Sequence, residues 1–471
     1  TVLVSGHFNV IHPGHLRLLR FAKECGTHLV VAVESDQLAG KSAHVPANLR
    51  LEGVLSNSYV NEAFIIDEPI VNVIERLQPN IVVKGKEHEK RFNPEVAALN
   101  QYGGKLLFSS GETLFSSLDL IRREFTDLAA NTIQIPKEYL LRNNIQTSHL
   151  VEIAKRFSQL KLIVLGDLIV DEYITCQPLG MSQEDTTIVV TPIDSAKFIG
   201  GAGIVAAHAA GLGADVHFIS VSGIDEAREF SIDTLNKAGV KTHLLKDSNR
   251  PTTLKQRYRS KGKSLLRVSH LHQGAISAEL QQSLLDALES VIEGADLLVF
   301  SDFNYGCLPQ SLVDSASQLA RTHNLLLAAD SQSSSQIGDI SRFRGMDLIT
   351  PTEREARISA RSHEDGLVVL AEKLRQQAQA KNILLKLGEE GLLIHADNEK
   401  TQFLTDQVPA LNTHPKDVAG AGDSLLIASA MAMACGASIW EAGCLGSIAA
   451  AIQVGRVGNT PLQINELINE L

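Results

Sequence analysis

The sequence predicts an α/β protein made of two doubly wound parallel sheets, the second with a small β lid. Short β-branched and apolar runs alternate with helical periodicity along most of the chain. At 471 residues the chain is too long for one core. Two unlike glycine-containing turns, Gly6 to His15 and Gly420 to Asp423, lie near opposite ends, and no repeat relates the halves.

Composition narrows the function. With 44% hydrophobic and 21% charged residues, the chain has the make-up of a globular protein. A net charge of −11 and a pI near 5.8 argue against nucleic acid or an anionic membrane as partner. Phosphate chemistry must then rest on backbone cradles and a few lysines. The five cysteines are scattered without a Cys-x-x-Cys pair, which suits buried thiols in a reducing compartment. Neither a secretory signal nor a charge-free run of membrane-spanning length is visible, so a cytoplasmic protein is expected.

Taken in order, Thr1 to Ser5 reads as a strand that runs into Gly6-His7-Phe8-Asn9-Val10-Ile11-His12-Pro13-Gly14-His15. Leu16, Leu18, Leu19 and Phe21 give a helical face, and Pro13 suits a first helical turn. Further strands are expected at His28 to Val33, Ala63 to Ile66, Ile81 to Lys84 and Lys105 to Phe108. Helices are expected from about Ala47, over Pro69 to Leu77 and over Pro94 to Asn100. Ligands of such sheets bind beyond the carboxyl ends of the strands, where Gly6 to His15 lies.

His12 and His15 can face one pocket across that turn. A metal site with His7 would lack a nearby Cys or carboxylate and leave Pro13 and Gly14 without a role. Helix capping by the histidines is a second reading. A third is phosphate binding, with imidazole donors and helix amides stabilising charge on a transferred phosphate. The stretch resembles the His-x-Gly-His signature of the nucleotidylyltransferase superfamily, with Phe8-Asn9 where Phe-Asp is usual. The resemblance implies catalytic roles for His12 and His15, and phosphate or nucleotide binding at Gly6, Phe8, Lys41, Lys84 and Ser116. It also picks out Glu34-Ser35-Asp36, Arg50, Lys84-Gly85-Lys86, Ser109-Ser110 and Ser116-Ser117. It covers about the first 125 residues.

The polar stretch from Thr126 to Lys161, with a helix over Ser148 to Phe157, reads as a connector. The expected division is a first domain at 1–130, a linker at 131–159 and a second domain at 160–471. Leu162 to Leu165 opens the second domain as a strand, and the Thr-, Val- and Ile-rich segment Tyr173 to Phe198 suggests strands standing off the sheet as a lid. Gly200-Gly201-Ala202-Gly203 opens a helix to Leu212. A dinucleotide fingerprint is disfavoured there, because no acid follows a second strand. Asp302 and Asp330 end the strands Leu297 to Ser301 and Leu325 to Ala329. Thr352 and Glu355 follow Asp347 to Ile349.

Asp417-Val418-Ala419-Gly420-Ala421-Gly422-Asp423-Ser424 then feeds an apolar helix to Cys435. Unpaired N–H groups and the helix dipole make such an N-terminus an anion site, and an acid at its mouth suits a general base. The stretch resembles the signature of the ribokinase-like (phosphofructokinase-B) sugar kinases, with Val418 and Ala419 in place of two threonines. The resemblance spans roughly 160–471. It implies Asp423 as general base, Gly420, Ala421 and Gly422 as an anion hole, and sugar binding by Asp171, Gly200 and Gly201. It further implies a nucleotide turn with Lys386, Gly388 and Gly391, and Glu355 as an indirect organiser of magnesium. Heptose kinases carry lysines where this chain has Tyr305 and Gln332, and asparagines where it has Ile204 and Ser447; loss of two cations weakens phosphate binding.

Together the resemblances imply a bifunctional sugar kinase/nucleotidylyltransferase, like the heptose kinase/adenylyltransferase with its domain order reversed. ATP and CTP, or ATP alone, would be substrates with Mg2+, and a homodimer is expected. The alternative is a nucleotidylyltransferase whose second half only senses sugar or dimerises.

Overall fold

The computed structural model describes all residues except 10, 12, 41–44, 86–91, 110–132, 186, 261–262, 334–336 and 398–403. Strands β1 (Val2–Gly6), β2 (Leu29–Glu34), β3 (Glu62–Ile66), β4 (Ile81–Gly85) and β5 (Lys105–Ser109) form a wholly parallel sheet in the order β3-β2-β1-β4-β5. The order reverses beside β1, so the loop after it opens at a topological switch point. β1 and β2 are apolar on both faces, as a strand covered by helices on two sides must be. From that loop runs the helix Pro13–Glu24.

Among the described residues the second sheet has nine strands: β6 (Lys161–Gly166), β9 (Asp215–Ser222), β10 (Lys241–Lys246), β13 (Leu297–Asp302), β14 (Leu326–Ser331), β15 (Leu348–Ile349), β16 (Asn382–Lys386), β17 (Leu392–Ala396) and β18 (Leu404–Val408). Their order is β10-β9-β6-β13-β14-β15-β16-β17-β18, parallel as far as β16 and antiparallel beyond it. The lid is a separate sheet, β12-β11-β7-β8, from β7 (Leu168–Met181), β8 (Ile188–Gly201), β11 (Thr253–Ser260) and β12 (Lys263–His270). The helices Ala421–Ala434 and Ile439–Val454 are rich in Ala and Gly and buried on nearly every side. Close approach is built in: a Cβ at Gly446 would lie 2.0 Å from Ser429 Oγ. All five cysteines are free and buried.

The stretch expected as a connector is packed instead. The helices Lys137–Arg142 and Thr147–Arg156 place Tyr139, Leu140, Leu150, Ile153 and Ala154 in the core beneath the second sheet, with Phe157 just beyond. Tyr139 Oη donates to the Trp440 carbonyl at 2.7 Å, and Arg142 and Asn143 donate to Asp406 at 3.1 and 2.8 Å. Polar residues between the stripes hide this amphipathicity in the sequence. The first sheet also meets the second unit: the Lys105 ammonium of β5 stands 4.3 Å from the ring centroid of Trp440 on the helix Ile439–Val454, and burial lowers its pKa.

Candidate active sites

In the second unit the expected site residues converge at the carboxyl ends of β6, β13, β14 and β16, under the lid. Gly420 caps the helix Ala421–Ala434 in the left-handed region (φ 77°), and a Cβ there would lie 2.5 Å from Asn459 Oδ1. The helix begins at Ala421, so Gly422 and Asp423 lie in its first turn, where N–H groups have no helical acceptor. Asp423 is 5% exposed. Burial, then the Asp330 charge, push its pKa up to about 7, while Lys386 and Lys255 oppose the rise.

Lys386 pairs with Asp330 at 3.0 Å. Burial alone would lower its pKa, yet Asp330 and Glu355 outweigh that and hold the ammonium charged. Gly391 (φ 94°) is pinned, since a Cβ would lie 2.2 Å from the Val408 carbonyl; Gly388 needs only its positive φ of 61°. Glu355 is buried, with Oε1 accepting from Ser333 N at 2.9 Å and Oε2 from Thr352 N at 2.7 Å. Thr352, in the asparagine position of the kinase pattern, caps the helix Glu353–Ala360 that carries Glu355 through its hydroxyl. Among the described residues no three His, Cys, Asp or Glu side chains form a metal-holding group. With Glu355 satisfied by backbone and Asp330 paired, these donors fit a magnesium ion carried by nucleotide phosphates better than one in a protein cage.

Asp171 on β7 faces the same space. Gly200 leaves it room, because a Cβ would approach Asp171 Oδ2 to 2.5 Å. Gly201 (φ 59°) starts the next helix where a Cβ would meet the Asp167 carbonyl at 2.4 Å. Burial raises the Asp171 pKa, opposed by Arg257 and Lys255. Both cations come from β11, whose register sets Lys255 opposite Asp171 and Arg257 opposite Tyr173. Lys255 Nζ stands 5.1 Å from the Tyr305 ring centroid, so a lid cation occupies the neighbourhood of one missing strand-end lysine. Sequence reasoning missed Lys255 and Arg257; alternation of 255, 257 and 259 on one strand face was the available signal. It also missed Tyr173, whose hydroxyl donates to Asp417 Oδ2 at 3.1 Å and ties the lid to the start of the cradle. Gln332, read as a loss, donates from Nε2 to Asp423 Oδ1 at 2.9 Å.

The first unit is described in part. Phe8 is buried in the left-handed region (φ 51°), its ring 5.0 Å from that of His15 and folded over Gly6. His7 Nε2 lies 3.1 Å from Glu34 Oε2, which corrects the expectation that no carboxylate is near. Arg50 is buried and clamps the turn, donating to the His7 and Val45 carbonyls and to Asp36 Oδ1 at 2.6, 2.7 and 2.6 Å. Lys84 pairs with Glu95 at 2.7 Å. His12, Lys41 and Ser116 lie outside the described residues, as do Lys86, Ser110 and Ser117.

A family model described as pfkB family carbohydrate kinase matches residues 159–465, more than half of the chain. The chain belongs to the pfkB family of carbohydrate kinases. A second model, cytidylyltransferase-like, matches residues 3–153. Curated relatives include the "Bifunctional protein HldE" of Desulfatibacillum aliphaticivorans, 30% identical over 67% of this chain and 64% of its own length. That of Stutzerimonas stutzeri is 32% identical over 66% and 64%. The chain thus spans just under two thirds of the curated relatives it matches. Among solved structures, phosphofructokinase-2 of Escherichia coli with substrates and products aligns with TM-score 0.54 at 17% identity, covering 66% of this chain and 97% of that one. Ribokinase of Thermotoga maritima gives 0.52 at 22% identity, covering 66% and 99%; both likenesses establish the fold.

The Asp423 carboxylate feels the charges of both Asp330 at a strand end and Asp171 beside Gly200. Ile204 is buried in the core, and the Ser447 hydroxyl is buried with no partner among the described residues.

Proposed function

We propose that the chain makes a nucleotide-activated sugar by two transfers. The pfkB half moves the γ-phosphate of ATP to a hydroxyl of a heptose-like sugar or alditol. The cytidylyltransferase-like half joins a sugar phosphate to the α-phosphate of CTP or ATP and releases pyrophosphate. The observation carrying this reading is the Asp423 carboxylate in the first turn of its helix, with Lys386 and Lys255 close enough to counter its raised pKa. The names of the curated relatives, each a bifunctional protein, support it.

In the kinase step the sugar oxygen attacks phosphorus as the bridging P–O bond to ADP breaks, and the hydroxyl proton passes to Asp423. The first-turn amides and Lys386 meet the growing phosphate charge, and Asp171 orients the sugar. Magnesium would neutralise the nucleotide's phosphates, and Glu355 would help to hold it indirectly. In the other half His15 donates to the transferred phosphate. A homodimer forms part of this proposal, and sedimentation would read it.

The test follows ADP and pyrophosphate separately, with the full chain, ATP, CTP and a panel of sugars and sugar phosphates. Asp423→Asn should remove ADP formation alone, by roughly a hundredfold or more, and His15→Ala should cut pyrophosphate release alone on the same scale. Pyrophosphate release with no sugar-dependent ADP formation would leave a single-activity nucleotidylyltransferase.

A further inference from the structure

We infer that Gln332 is a positioning residue for phosphoryl transfer, holding the Asp423 carboxylate by Oδ1 so that Oδ2 takes the hydroxyl proton. The inference rests on the reading of Asp423 as general base.

Gln332 directly follows β14, and its Nε2 donates to Asp423 Oδ1 at 2.9 Å. No hydrogen bond to Oδ2 is formed among the described residues. The backbone of Gln332 is fixed on both sides: its N–H donates to the Asp302 carbonyl at 2.8 Å, and its carbonyl accepts from Asn304 Nδ2 at 3.2 Å. Asn304 sits in the left-handed region (φ 61°), with its own N–H donating to Asp302 Oδ1 at 3.0 Å. Asp302 Oδ2 in turn accepts from Ser331 Oγ and Arg342 Nη2 at 2.7 and 2.8 Å. A backbone anchored in this way fixes the point from which the Gln332 side chain reaches Asp423.

The charges around the base explain why an amide serves where heptose kinases carry a lysine. Asp423 faces Asp330 from β14, Lys386 from β16, Asp171 from β7 and Lys255 from β11. Glu355 adds to the field on Lys386. A third ammonium at position 332 would weaken the base by favouring its ionised form. A neutral donor fixes the carboxylate and leaves it basic.

The experiment compares wild type, Gln332→Lys, Gln332→Leu and Asp423→Asn in the full chain. It reads kcat and KM for sugar-dependent ADP formation across pH. Alongside it, selectively carbon-13-labelled aspartate carboxyls are titrated, with the Asp423 signal assigned by its loss in Asp423→Asn. Gln332→Leu should lower kcat about tenfold to a hundredfold, the scale for one hydrogen bond to a charged group, with both KM values within about twofold. Its acid limb should move to higher pH. Gln332→Lys should move both the acid limb and the Asp423 titration down by about one pH unit or more. Inactive Asp423→Asn beside a Gln332→Leu of wild-type kcat and acid limb would overturn the inference and spare the base. Full activity in Asp423→Asn would overturn the base itself. If Gln332→Leu melts early, Gln332→Lys decides: an unmoved titration rules out the contact.

Discussion

Replacing Asp423 by asparagine should stabilise the folded chain above neutral pH, as well as stopping phosphoryl transfer. The native carboxyl has a pKa raised from 3.8 to about 7, chiefly by burial. The folded state therefore binds a proton that the unfolded state has released between those values, and stability falls as pH rises through that window. At about 1.4 kcal/mol per tenfold, the full span bounds the penalty at about 4 kcal/mol above pH 7. About a third of it is present at pH 5, so the gain from Asp423→Asn should be larger at pH 8 than at pH 5 by up to about 3 kcal/mol. Asparagine keeps an oxygen for Gln332 to donate to, so the packing term should cancel between the two pH values. Calorimetric melting of both proteins at pH 5 and pH 8 gives the difference directly, several degrees in Tm for the second unit. An equal shift at both pH values would refute the reasoning, because it would mean that the carboxyl is not held neutral by its surroundings.

Three further outcomes are expected. Gly201→Ala should destabilise the second unit by at least about 2 kcal/mol in a denaturant melt, because φ of 59° and the Asp167 carbonyl both oppose a side chain; an unchanged midpoint would mean the turn relaxes freely. Lys255→Met should lower kcat/KM for ADP formation about tenfold or more while pyrophosphate release stays constant, and equal loss of both activities would deny it a place in the kinase site. Residues 133–471 produced alone should melt cooperatively, whereas 144–471, lacking Tyr139 and Leu140, should melt lower by a few kcal/mol or aggregate; equal melting would show that the short helix contributes nothing.

All five strands of the first sheet, and β6, β13, β14 and β15 of the second, were legible because runs such as Leu29 to Val33 and Leu297 to Phe300 are apolar and bounded by turn residues. The cradle was legible for a local reason: three small residues before an acid and an Ala-rich helix describe their own geometry. What the sequence concealed are partnerships across distance. Lys255 meets Asp171 only through a strand register, and Tyr173 reaches Asp417 only once the lid has folded over the cradle. Gln332 illustrates a different limit. Comparison with lysine at that position exposes the lost charge, while the hydrogen bond gained depends on where the neighbouring acid lies. The connector was misread because Lys137, Glu138, Arg142 and Asn143 outweigh Tyr139 and Leu140 in composition, although Leu150, Ile153, Ala154 and Phe157 already mark a helical stripe.

The helix that carries Asp423 has no polar face to show to water. With Ile439–Val454 it forms an apolar hairpin, and both helices follow every strand of the fold in the chain. Such a hairpin cannot settle before β13, β14 and β17 offer it a surface, so assembly of the kinase centre is a late event. Until then its Ala- and Leu-rich surface stays open to other chains, a hazard during synthesis that falls on this half of the protein and not on the first sheet.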